Sequence, residues 1–123
     1  METRSMQRRK IAEKTLSQST LFAGHDEKKK EFYVELPYAE GKTKAVPRAI
    51  LQYEWIQDKY VDLYHTGVPE EFRGKGVAKI LAEAALDHFV RDDVTMRLSC
   101  TYLQYHVEKY PIPRIMEKVD KTW

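Results

Sequence analysis

The chain contains no asparagine, so it offers no N-glycosylation acceptor. Its one cysteine, Cys100, excludes an intrachain disulfide and suits a reducing compartment. No apolar run approaches the length of a membrane span. Positive charge is lacking where a nucleic-acid reader would need it. Residues 31–123 hold 13 basic and 15 acidic side chains, a balance of −2. Residues 1–30 hold 8 basic and 4 acidic, a balance of +4. Basic character is thus confined to a leader, whereas nucleic-acid domains carry it on the fold. These deficits point to an intracellular, cytoplasmic protein with no nucleic-acid or membrane partner, expected to be a monomer. At 123 residues the chain makes one domain and buries a core without staples.

Residues 1–24 show little periodicity and are expected to form a mobile N-terminal extension. Arg8-Arg9-Lys10 and the Ser/Thr-rich run Thr15 to Thr20 also fit an organelle-targeting leader, against which Glu2 and Glu13 speak. The domain is expected over residues 25–119, with 120–123 as a frayed tail. A first strand is read at Phe32–Leu36, stopped by Pro37, and a second from about Arg48 to Ile56. The turn Gln57-Asp58-Lys59 leads into a third, Tyr60–Val68, so the three form an antiparallel meander. From Lys75 to Arg91, Val77, Ile80, Leu81, Ala84, Ala85 and Phe89 make an apolar stripe at helical spacing. Lys79, Glu83, Asp87 and Arg91 make the wet face. Thr95–Cys100 reads as a strand reached by a crossover, hence parallel to the third. A short helix Tyr102–Tyr110 and a last one from Pro113 to near Val119 follow.

The informative stretch is Val68 to Ala78, where a strand ends, a glycine loop turns and a helix begins. The first N–H groups of a helix lack intrahelical partners, and the macrodipole adds positive charge there. Arg73 and Lys75 add full charges, so the place suits a phosphate. A Walker A loop fails, because Pro69 and Gly76 stand where a glycine and a hydroxyl are required. A dinucleotide fingerprint would need a third glycine where Lys79 stands. The remaining pattern is Arg73-Gly74-Lys75-Gly76-Val77-Ala78 after Val68-Pro69. It resembles the pyrophosphate arm of the GNAT superfamily of acetyltransferases. Asp62 to Pro69 and Ser99-Cys100-Thr101-Tyr102 narrow the resemblance to the minimal single-domain branch, over roughly Lys28 to Val119.

The resemblance implies an α/β fold: a GNAT-like mixed sheet, an antiparallel meander plus a parallel crossover strand, with helices on both faces. Residues 37–47 are too few for the two substrate-covering helices usual in the superfamily, so the acceptor side is expected to be open. It implies acetyl-CoA as cosubstrate, an amine acceptor and no metal. Residues 73–78 would hold the pyrophosphate, and Val68 backbone groups would pair with the pantetheine amides between splayed strands. His65, near the strand end, has the intrinsic pKa of a base. Asp62 lies where histone-acetylating relatives place a glutamate base. Positions 62 and 65 differ in parity, so at most one is expected to act directly, with His65 preferred. Cys100, ahead of a helix start, is a nucleophile or a thiol-proximal group, or else a small buried hydrophobe. Tyr102 and Tyr105 are acid candidates, each with core packing as the plain alternative. The expected activity is acetyl transfer from acetyl-CoA to an amine; a non-catalytic CoA or acyl-CoA binding module is the alternative.

Overall fold

The computed structural model describes residues 21–36 and 47–121. Its strands are β1 Ala23–Asp26, β2 Glu31–Glu35, β3 Arg48–Gln57, β4 Tyr60–Gly67, β5 Thr95–Leu98 and β6 Val119–Asp120. A 3-10 turn, Glu70–Phe72, and helix α1, Val77–Arg91, join β4 to β5. Helices α2, Thr101–Lys109, and α3, Pro113–Met116, join β5 to β6. The six strands form one sheet in chain order. β1 to β4 pair antiparallel, and β4, β5 and β6 pair parallel. The expected mixed sheet, with its meander and its parallel crossover strand, is present.

Alternation along the strands decides which face is dry. Phe32 and Val34 of β2, Ala49, Leu51 and Tyr53 of β3, Val61 and Leu63 of β4, and Met96 and Leu98 of β5 are buried on one face. Helix α1 covers that face with Val77, Leu81, Ala82, Ala85, Leu86 and Phe89. Ala82 and Leu86 thus join the stripe read from sequence, while Ile80 and Ala84 sit at its margin. Burying one such leucine is worth roughly 1.5–3 kcal/mol.

Four expectations are corrected. Among the described residues the helices lie on one face of the sheet, not both. Two right-handed crossovers stepping in the same direction, β4 to β5 to β6, deliver their helices to the same side. The other face carries the exposed Glu35, Arg48, Glu54 and Arg97 among half-buried neighbours. Strand β1 falls partly within the stretch read as an extension to residue 24, and Leu21 packs against the core edge. The final helix stops at Met116, and Val119–Asp120 pairs with β5 instead of ending a helix or fraying. Asp120 accepts a hydrogen bond from the Tyr60 hydroxyl. Residues 1–20, 37–46 and 122–123, with the expectations about the leader, the shortened connection and Trp123, lie outside the described residues.

Candidate active site

Two glycines shape the loop. Gly74 has φ 78° and Gly76 has φ 82°, both in the left-handed region that favours glycine. Gly76 is the N-cap of α1, so the helix begins at Val77, two residues later than the start at Lys75 read from sequence. A glycine cap brings no side-chain oxygen to the first turn, and no acidic residue lies in that turn. Ile80 N–H is the first to bond back, to the Gly76 carbonyl at 3.2 Å. A Cβ placed on Gly74 would meet nothing within 4 Å. This is an open, electropositive cradle of backbone N–H groups, with Arg73 and Lys75 in the same loop. The residues present therefore fit a pyrophosphate.

Two cavities adjoin this loop. The smaller, about 220 Å³, is lined by Val68, Phe72, Arg73, Gly74, Gly76, Val77, Ala78, Lys79 and Tyr102. The larger, about 640 Å³, is lined by Arg48, Ile50, His65, Thr66, Gly67, Val68, Pro69, Arg73, Ala78 and Tyr102. Val68, Arg73, Ala78 and Tyr102 line both, so the two form one groove. The parallel pairing of β4 with β5 ends at Leu63 and Leu98. Beyond it β4 runs on to Gly67 while the chain turns from β5 into α2.

The fold brings together most of the residues singled out from sequence. His65, Val68, Arg73, Gly74, Gly76, Val77, Ala78 and Tyr102 line the groove; Lys75 does not. Tyr105 is exposed outside the groove, its ring 6.2 Å from that of Tyr102. Burial, then the neighbouring Tyr110 and Tyr105, push the Tyr102 hydroxyl above its ordinary pKa, so it is a proton donor at neutral pH. Arg73 Nε donates to the Val68 carbonyl at 3.0 Å, which engages two of the expected ligand-binding groups with one another.

The parity argument for Asp62 and His65 does not hold. Gln52 pairs with His65 and the next residue, Tyr53, pairs with Leu63, so Tyr64 is an extra residue in β4. This β-bulge inverts the alternation. Asp62 opposes Glu54 and His65 opposes Gln52, and both lie on the open face. Asp62 Oδ1 is buried without a hydrogen-bond partner. Thr66 instead opposes Leu51, on the helix side. There its Oγ1 lies 3.3 Å from Cys100 Sγ. Cys100 is buried, as the N-cap of α2, and leaves the sheet; its N–H donates to the Leu63 carbonyl at 3.1 Å.

Sequence reasoning missed Arg48, Ile50, Thr66 and Gly67. Arg48 and Ile50 reach the groove because β3 pairs with the end of β4, Ile50 opposite Gly67. Arg48 is held by Glu35 at 3.0 Å and lies over the Tyr33 ring at 4.1 Å. Gly67 lies against the candidate base: a Cβ there would lie 3.2 Å from His65 Nε2.

A family profile described as GCN5-related N-acetyl-transferase matches residues 35–114, which include the whole groove. The chain is 41% identical to protein NATD1 of Xenopus tropicalis over 101 residues, 82% of this chain and 87% of that protein. It is 40% identical to human protein NATD1 over 95 residues, 77% of this chain and 79% of that one. The chain belongs to the GCN5-related N-acetyltransferase family. The solution structure of a GCN5-like protein from Staphylococcus aureus shares the fold, with a TM-score of 0.56 at 21% identity over 80% of this chain and 86% of that one. Membership of the GCN5-related family sets the general chemistry as acyl transfer, and acetyl-CoA is the family's usual acyl donor. Among the described residues no cluster of three or more His, Cys, Asp or Glu side chains is arranged to hold a metal. None of the described helices is long and apolar enough to cross a membrane.

Proposed function

We propose that the protein is an acetyl-CoA-dependent N-acetyltransferase that acts on an amine. The observation that carries this reading is the continuity of the groove, from the Gly74–Gly76 cradle to His65 and Tyr102. Arg73, Lys75 and the N–H groups that open α1 hold the pyrophosphate. Arg73 exchanges its contact with the Val68 carbonyl for phosphate, which frees that carbonyl for a pantetheine amide. Lys79 also borders a groove of about 770 Å³ between α1, α2 and α3, where Tyr110 offers a ring to the nucleotide end.

Bound acetyl-CoA supplies the thioester. His65, on the open face, takes the proton of the attacking ammonium, and Asp62 on the same face balances the charge formed. The amine nitrogen bonds to the acyl carbon as the carbon–sulfur bond breaks. Tyr102, protonated at neutral pH, gives its proton to the departing thiolate and regains one from the nitrogen, which sheds its second proton on becoming an amide. Cys100 lies buried behind Thr66 and is not acylated; the amine attacks acetyl-CoA directly.

Titration calorimetry with CoA, and transfer from isotope-labelled acetyl-CoA to a panel of lysine peptides and polyamines, test the reading. Saturable CoA binding with label transfer is expected. Binding without transfer to any amine would favour a CoA or acyl-CoA binding module, and absence of binding would overturn both.

A further inference from the structure

We infer that Thr66 is the residue that positions the Cys100 thiol. This rests on the reading of the groove as the CoA site. From sequence the natural partner for Cys100 is His65, the titratable group at the end of the neighbouring strand. The bulge at Tyr64 sends His65 to the open face and Thr66 to the helix side. Thr66 Oγ1 then stands 3.3 Å from Sγ, and Thr66 also lines the groove. Thr66 therefore stands between the buried thiol and the groove.

The backbone of Cys100 is held at both ends. Its N–H donates to Leu63, and its carbonyl accepts from the N–H groups of Leu103 and Gln104, at 3.1 and 3.2 Å. That leaves χ1 as the free variable, and a hydrogen bond to Sγ fixes it. Threonine suits the task because its own χ1 is stiff. The hydroxyl accepts from the S–H or donates to the thiolate, so it serves the sulfur in either state. A methyl in the same place would fill the volume and do neither.

The test uses the full chain, with Thr66→Val as the isosteric removal of the hydroxyl and Thr66→Ser as its retention. Cys100 is the only cysteine, so iodoacetamide followed by intact-protein mass spectrometry reads one thiol. The Val variant is expected to lose about fivefold in alkylation rate, the usual weight of one hydrogen bond. Ser is expected to stay within about twofold of the parent. Circular dichroism checks that both variants keep the fold before the rates are compared. An unchanged alkylation rate in Thr66→Val, or Ser failing as badly as Val, would overturn the role of the hydroxyl. Failure of the parent protein to bind CoA would instead overturn the function on which the inference rests.

Discussion

Gly74→Ala separates two reasons for a glycine in the loop. Nothing in the protein lies within 4 Å of the added Cβ, so steric conflict with the fold is absent. What remains is the backbone at φ 78°. Holding an L-residue in the left-handed region costs about 1–2 kcal/mol. Alanine recovers about 0.4–1 kcal/mol by restricting the unfolded chain. The net loss is about 1 kcal/mol, or about 4 °C in melting temperature for a chain of this size. Circular dichroism melts read that number. Gly74→Asn should cost less, because asparagine tolerates the left-handed region. Calorimetry with CoA reads the second reason. If the cradle takes the pyrophosphate, the Cβ occupies the ligand's approach, and affinity should fall by at least about tenfold, 1.4 kcal/mol. A melt unmoved by alanine would refute the strain argument. A 4 °C loss with unchanged CoA affinity would refute the assignment of the loop.

Gly67→Ala places a Cβ 3.2 Å from His65 Nε2 at a backbone that alanine accepts, so the ring must move. Acetyl transfer should fall at least about tenfold through misplacement of the base, with the melting temperature nearly unchanged. Cys100→Ala is expected to lower kcat less than about tenfold, near 1.4 kcal/mol, because the direct mechanism does not route the acetyl group through sulfur. An adduct of about 42 Da on Cys100, formed and discharged at the turnover rate, would refute that. Burial lowers the pKa of His25, as does the adjacent His88, against opposing pulls from Glu27, Asp26 and Asp92. Burial also lowers His106, beside Glu83 and Lys79. Both histidines therefore favour the neutral form in the fold, so their stabilisation is complete above the ordinary value of 6.5 and is lost as pH falls through the lowered values. Melting temperature should drop between about pH 7.5 and pH 5, and His106→Gln should flatten part of that slope.

The sequence by itself determined the elements whose signals are local. Alternation gave β2, β3 and β4, the 3.6-residue stripe gave the helix ending at Arg91, and the Arg73–Ala78 pattern gave both the glycine loop and the family. Each is a property of consecutive residues. Only the tertiary structure decided what depends on pairing. Strand β1 is four residues long, and its place comes from the register of Ala23 with Val34 and Asp26 with Glu31. Strand β6 is two residues held by β5. The site shows the same division. The loop residues were legible because the glycines must adopt a rare backbone and the charges sit beside them. The partner of Cys100 and the face that Asp62 shares with His65 were not, because one extra residue at Tyr64 exchanges the faces of everything after it. A bulge is defined by two strands at once, so counting along one strand assigned His65 to the wrong side and left Thr66 out.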